Sequence, residues 1–294
     1  MATFSRFMMK GLDFLLRGRN SLRHKLKKIY RGVREVSESE DRFYVQAVER
    51  IVAHPKKFAR FRRIYNYREV LEHVSFAQGK LYISRVLHLE PGLLNSTLQF
   101  KANDVTGKPY IHNYPNIGKF SPTTLRYISV AAEIRSLFGN KVSGDFAEIG
   151  VGYGGQFSVL NETQRINSYS MFDLVPVLEL VRKYLSSFGN NQVKLNKVIF
   201  EDLRELPDKN WDLVISNYAF SELPKSLQLD YVEKVLTRSK RGYLIMNSGK
   251  SNISGFSKGK LTLKELEDLL PGVEILEEVP NTGPDNYVLV WGHK

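Results

Sequence analysis

The chain of 294 residues contains no cysteine, which excludes a disulfide framework, a thiolate metal site and a thiol nucleophile. Its six histidines, at positions 24, 54, 73, 88, 112 and 293, include no pair at metal-ligand spacing, so the sequence offers no zinc site. No stretch reaches the about 18 apolar residues that a membrane-spanning helix needs. A secretory signal is also missing from the reading, because Lys10, Asp13 and Arg17 interrupt every apolar run near the start. The expectation is a cytoplasmic protein, with the inner face of a membrane within its reach.

Charge is plentiful but uneven. The net charge is +12, and residues 1–34 hold ten Lys and Arg against the single acid Asp13, so nine of the twelve net charges lie in that arm. Phe4, Phe7, Leu12, Phe14, Leu15, Leu16, Leu22, Leu26 and Ile29 are interleaved with the basic residues. That mixture reads as a basic amphipathic helical arm suited to an anionic membrane surface. The rest of the chain is close to neutral.

Three regions follow: the arm at 1–34, a helical and loop region at 35–122, and an α/β domain at 123–294. Residues 38–75 carry helical periodicity, broken at His54-Pro55. From Gly79 to Pro122 turn signals dominate, and an irregular binding stretch is expected there. Strands are then expected at 145–150, 168–174, 193–201, 211–217 and 242–247, alternating with helices at 123–138, from 156, and at 177–187, 225–237 and 262–270. Alternation of this kind predicts a parallel sheet covered on both faces. The chain ends differently, with strands at 273–279 and 286–291 joined by the hairpin-length Pro280–Asp285, so the last strand should run antiparallel. The predicted fold class is a Rossmann-like α/β sheet of five parallel strands plus an antiparallel terminal hairpin, with a mainly helical N-terminal region.

Chemistry gathers at the strand ends. The first strand runs into EIGVGYGGQ, Glu148 to Gln156, where Gly150, Gly152 and Gly154 let the backbone turn tightly and approach a ligand. Dehydrogenases share such a run, but the acid two residues ahead of it would repel a pyrophosphate and would suit a ligand bearing an ammonium group. Asp173 and Leu174 end the second strand, 25 residues on; an acid there can accept from both hydroxyls of a ribose, or can simply cap the next helix. After the third strand Asp202 and Leu203 can meet an adenine amino group and ring, and a solvated loop acid is the equal alternative. The fourth strand, all apolar from Leu213, opens into Ser216, Asn217 and Tyr218, polar groups that core packing does not explain.

These strings resemble the sugar O-methyltransferase family of bacterial polysaccharide clusters, a branch of the class I methyltransferases. EIGVGYGGQ, FDLVPVLEL and SNYAFSELP match its approximate patterns EIGGGYGGQ, DLPxVLxL and SxYAFSEL, and SPTTLRYI at 121–128 resembles the block ahead of its first strand. The likeness spans about 107–250. Val151 stands where the family has glycine, and Pro176 lies one place later than the family's proline. The resemblance implies S-adenosylmethionine as cofactor, with Glu148 toward its ammonium, Asp173 toward its ribose, Asn217 beside the transferable methyl and Arg126 toward its carboxylate; for Arg126 a plain helix-surface role is the alternative. It also implies a saccharide hydroxyl as acceptor, free or carried on a lipid. A base must take the hydroxyl proton, and His112, Tyr218 and Glu222 are the candidates. His112 lies among Tyr110, Asn113 and Tyr114, a surface suited to stacking on sugar rings. Two rival readings stand beside this one: an RNA or protein methyltransferase whose arm binds phosphates, and a partner subunit that keeps the fold without the chemistry.

Overall fold

The computed structural model describes residues 42–139, 142–188, 195–250 and 259–293; the basic arm lies outside them. The central element is a seven-stranded sheet: β3 (Ser143–Ile149), β4 (Arg165–Phe172), β5 (Val198–Phe200), β6 (Leu213–Asn217), β7 (Gly242–Met246), β8 (Glu274–Glu277) and β9 (Tyr287–Trp291). Their spatial order is β5-β4-β3-β6-β7-β9-β8. β3 pairs in parallel with both β4 and β6, and β9 runs antiparallel between β7 and β8. The order reverses beside β3, so a crevice opens at the carboxyl ends of β3, β4 and β6, where open α/β sheets bind ligands. The chain thus has the expected Rossmann-like fold with its antiparallel last strand.

Alternation along each strand assigns its side chains to two cores. Ala147, Ile149, Val214 and Leu244 enter one, while Phe146, Leu213 and Ile215 enter the other. By the same period Glu148 and Asn217 fall on the face of Phe146 and Ile215, the face covered by the N-terminal region.

Ahead of the sheet come α1 (Arg42–Ala53), α2 (Tyr65–Leu71), α3 (Phe76–Leu89), the hairpin β1 (His112–Tyr114) and β2 (Gly118–Phe120), and the long helix α4 (Pro122–Phe138). α4 is buried almost throughout its first four turns and packs against α3. Residues from Tyr44 to Val290 share one continuous core, so packing is not interrupted between the helical region and the sheet. Behind the sheet's ligand edge lie α5 (Gly155–Thr163) and α6 (Val175–Ser186).

Helix α3 corrects the expectation of an irregular stretch from Gly79 onward. Ser75 and Gln78 form a capping box at its start, and Gly79, which reads as a breaker, is demanded by packing. A Cβ there would lie 2.1 Å from the Tyr114 hydroxyl oxygen. The third strand is also shorter than expected, because residues Leu195–Lys197 form a turn before β5 begins.

Candidate functional site

The crevice is built from the ends of β3, β4 and β6. Gly150 leaves β3 at φ 78°, and its amide donates to the Phe172 carbonyl. A Cβ at this position would stand 2.0 Å from Ala219 Cβ, so only glycine lets the turn lie against the segment after β6. Gly152 and Gly154 also take positive φ, and Tyr153 between them is driven into the core. Its ring meets Tyr184 at 4.9 Å, Phe61 at 5.7 Å and the Arg62 guanidinium at 4.7 Å.

Glu148 is 1% exposed. Among the described residues its carboxyl accepts one hydrogen bond, from the Tyr169 hydroxyl at 2.7 Å, and burial, only partly offset by that bond, pushes it up to about 8; the charge of Asp173 adds to the rise. Asp173 is half-buried just past β4 and spans the crevice: it accepts from the Gly152 amide at 3.2 Å and the Leu174 amide at 2.8 Å. Burial raises it to about 7 against those bonds. The carboxylate therefore ties the glycine turn to the second strand, and Leu174, not Asp173, is the residue that precedes α6. Among the described residues neither acid pairs with a Lys, Arg or His.

Asn217 donates from Nδ2 to Gln156 Oε1 at 3.2 Å, and Gln156 in turn donates to the Tyr127 carbonyl. The Asn217 Oδ1 atom is buried and has no partner among the described residues. The amide is thus held by one side with its acceptor left for something else. Arg126 is buried on α4 with its guanidinium 5.4 Å from the Tyr127 ring centroid, and its Nε lacks a partner. It therefore stands apart from a helix-surface arginine.

Other expected residues are placed differently. Ser216 is fully buried; its hydroxyl donates to the Ile149 carbonyl at 2.9 Å and accepts from the Phe220 amide at 3.0 Å. It shapes the turn after β6, and its side chain is not open to a ligand. Both Asp202 oxygens are engaged by Arg204, at 3.0 and 2.6 Å, which holds the carboxyl down at about 2. An adenine amino group at Asp202 would share the carboxylate with Arg204. Leu203 follows it, half-buried, and packs toward the core on that side of the sheet.

The three candidate bases line different places. Tyr218 sits at φ 71°, a conformation that tyrosine rarely adopts, and donates its hydroxyl to Glu278, with Thr282 Oγ1 at 3.2 Å. It borders a cavity shared with Arg126, Glu133 and Glu278. Glu222 accepts from Asn247 Nδ2 at 3.0 Å. His112 instead lines a second cleft, open to solvent, with Glu72, Phe76, Tyr110 and Thr123. Its ring lies 5.1 Å from that of Phe76.

Two groups were invisible to sequence reasoning. Glu278 gathers the Thr282 amide and Asn286 of its own terminal hairpin together with Tyr218, 60 residues away. Arg62 is fully buried and bonds Glu72, the Asn103 carbonyl, Asp104 and Ser121, the cap of α4. Nothing local marks either residue.

No protein-family model matches the chain, and no curated protein does. Among solved structures the chain is similar to the pyocyanin biosynthetic protein PhzM, at 18% identity over 59% of this chain and 58% of that one, with a TM-score of 0.40. It is similar to the small RNA methyltransferase HEN1 at 14% identity, over 63% of this chain and 27% of that one, with a TM-score of 0.43. For a SAM-dependent methyltransferase from Aquifex aeolicus the figures are 16%, 54%, 87% and 0.40. The chain spans little more than half the length of the first of these and about a quarter of the second. Such distant likeness concerns the fold, and any activity has to be argued from the groups in the crevice.

Proposed function

We propose that the protein is an S-adenosylmethionine-dependent O-methyltransferase acting on a sugar hydroxyl of a glycan or lipid-linked saccharide. The observation that carries the cofactor is the pair Glu148 and Asp173: two raised carboxyls flanking a glycine turn, with no cation of the protein beside them. A pyrophosphate would raise both carboxyls further, whereas an ammonium and a sulfonium would draw them into their charged forms. The residues present fit that group. Asn217 Oδ1 offers a spare acceptor, Asp173 lies where ribose hydroxyls are expected, and Arg126 has an unused donor for a carboxylate.

When bound, the cofactor supplies an electrophilic methyl group on sulfur. The chain's own residues must then position a hydroxyl in line and receive its proton. Tyr218 is suited to relay it: its oxygen can accept the proton while its own passes to Glu278. Glu222 and His112 remain candidates for the same task.

The acceptor reading is supported by the cleft of Glu72, Ser75, Phe76, Tyr110, His112 and Thr123. Phe76 is 36% exposed and Tyr110 48%, and each ring carries a cation on one face, Lys80 Nζ at 4.6 Å and the Arg63 guanidinium at 4.8 Å, which leaves the other face for a ligand. Apolar faces of sugar rings stack on such surfaces, and ring hydroxyls bond to such groups. The test is transfer of a labelled methyl group from S-adenosylmethionine to a panel of soluble oligosaccharides and lipid-linked sugars, with RNA and protein as comparison acceptors. Label in a saccharide, removed by substituting the cleft residues, supports the reading. Label in RNA or protein and in no saccharide overturns the acceptor class.

A further inference from the structure

The N-terminal helices do more than cover the sheet. Tyr67 of α2 is 0% exposed, and its hydroxyl has no hydrogen-bond partner among the described residues. A buried hydroxyl without a partner is disfavoured, and native proteins rarely keep one that nothing ever satisfies. Its surroundings show where a partner would come from. The ring is stacked with that of Tyr44 at 6.0 Å and meets Phe61 edge-on at 5.0 Å. Phe61 in turn packs on Tyr153 of the glycine turn. Leu71, which ends α2, lies 3.2 Å from where a Cβ on Gly152 would stand, so the helix rests directly on that turn.

Tyr44 completes the arrangement from α1. It is 4% exposed, and burial together with the nearby charges of Asp173, Tyr127 and Glu222 pushes its hydroxyl well up. α1 is anchored on α6, the helix that follows Asp173, where Lys183 donates to the Val52 carbonyl. Tyr44 and Tyr67 are therefore packed, through Phe61 and Leu71, against the glycine turn that borders the crevice. Another atom without a partner among the described residues, Asn217 Oδ1, belongs to the crevice itself.

We propose that Tyr67 and Tyr44 form the N-terminal wall of the cofactor pocket, the Tyr67 hydroxyl bonding a polar group of the bound cofactor. The inference rests on the S-adenosylmethionine reading given above and assigns Tyr44 and Tyr67 of the N-terminal helices to cofactor binding.

An isosteric pair of substitutions in the full chain, Tyr67→Phe and Tyr44→Phe, tests it. S-adenosylhomocysteine is the calorimetric probe, and the melting temperature without ligand is read in parallel. A hydroxyl with no internal partner is dispensable to folding, so Tyr67→Phe should melt at or above the wild-type temperature while binding the probe at least fivefold more weakly. Tyr44→Phe should weaken the probe in the same direction. Affinity within twofold of wild type in both variants overturns the inference while leaving the cofactor assignment standing. A fall of several degrees in melting temperature for Tyr67→Phe overturns it too, since the hydroxyl would then serve the fold. A wild-type protein that does not bind the probe overturns the cofactor assignment and this inference with it.

Discussion

Glu148→Gln should make the ligand-free protein more stable and the cofactor weaker, and the size of the first effect follows from the structure. The carboxyl is held at about 8 against an ordinary 4.5, chiefly by burial. A folded-state value above the unfolded one means that the folded protein holds its proton more tightly. The associated stability is complete below about pH 4.5 and is lost as pH rises toward 8. At 1.36 kcal/mol per unit, the penalty at pH 8 is on the order of 4 kcal/mol, and at pH 5 it is below about 1 kcal/mol. Glutamine keeps the shape and can still accept from Tyr169, but carries no charge to desolvate. For a chain of this size about 2–4 °C accompany each kcal/mol. The variant should therefore melt on the order of 10 °C higher at pH 8 and within a few degrees of wild type at pH 5. Thermal unfolding followed by circular dichroism at both pH values is the assay. An equal gain at the two pH values, or none at pH 8, refutes the reasoning, because the effect would then owe nothing to the buried charge.

The proton acceptor should be found among His112, Tyr218 and Glu222: on a verified saccharide, the right substitution lowers kcat by roughly 10²–10⁴ with cofactor affinity nearly unchanged. Wild-type turnover in all three variants rejects the site as drawn. If Tyr218 is the acceptor, Glu278→Gln should also lower kcat and shift its pH profile, because the relay then ends on an amide that cannot take the proton. The arm at 1–34 should attach the full chain to vesicles rich in anionic lipid at low salt, each basic residue near the surface adding about 1 kcal/mol; a chain starting near Glu35 should fail to float with them. Binding to RNA and not to vesicles at the same salt would assign the arm to nucleic acid.

The sheet was legible because its strands are buried on both faces and spell themselves out as apolar runs, Leu213 to Ile215 and Tyr243 to Met246 being the plainest. The glycine turn was legible because its glycines follow one another at close spacing, although the residues that demand them, Ala219 for Gly150 and Leu71 for Gly152, lie far away in the chain. Helix α3 was hidden because Gly79 obeys a constraint set by Tyr114, 35 residues later. Ser216 was misread as ligand-facing because its partners, the Ile149 carbonyl and the Phe220 amide, are met only after β3 and β6 pair. Asp202 stayed open between an adenine partner and a solvated loop acid because its pairing with Arg204, two residues on, gives no periodic signal. Charged residues such as Arg62 and Glu278 read as surface until folding brings Glu72, Asp104 and Ser121 to the one and Tyr218 to the other.

The central claim is that the crevice beside β3 accepts S-adenosylmethionine and rejects a dinucleotide. Calorimetry of the full chain with S-adenosylhomocysteine and with NAD tests it most directly. The account predicts micromolar binding of S-adenosylhomocysteine, on the order of −8 kcal/mol, weakened tenfold or more by Asp173→Ala, and no comparable binding of NAD. Tighter binding of NAD, or S-adenosylhomocysteine binding that ignores Asp173, would contradict it.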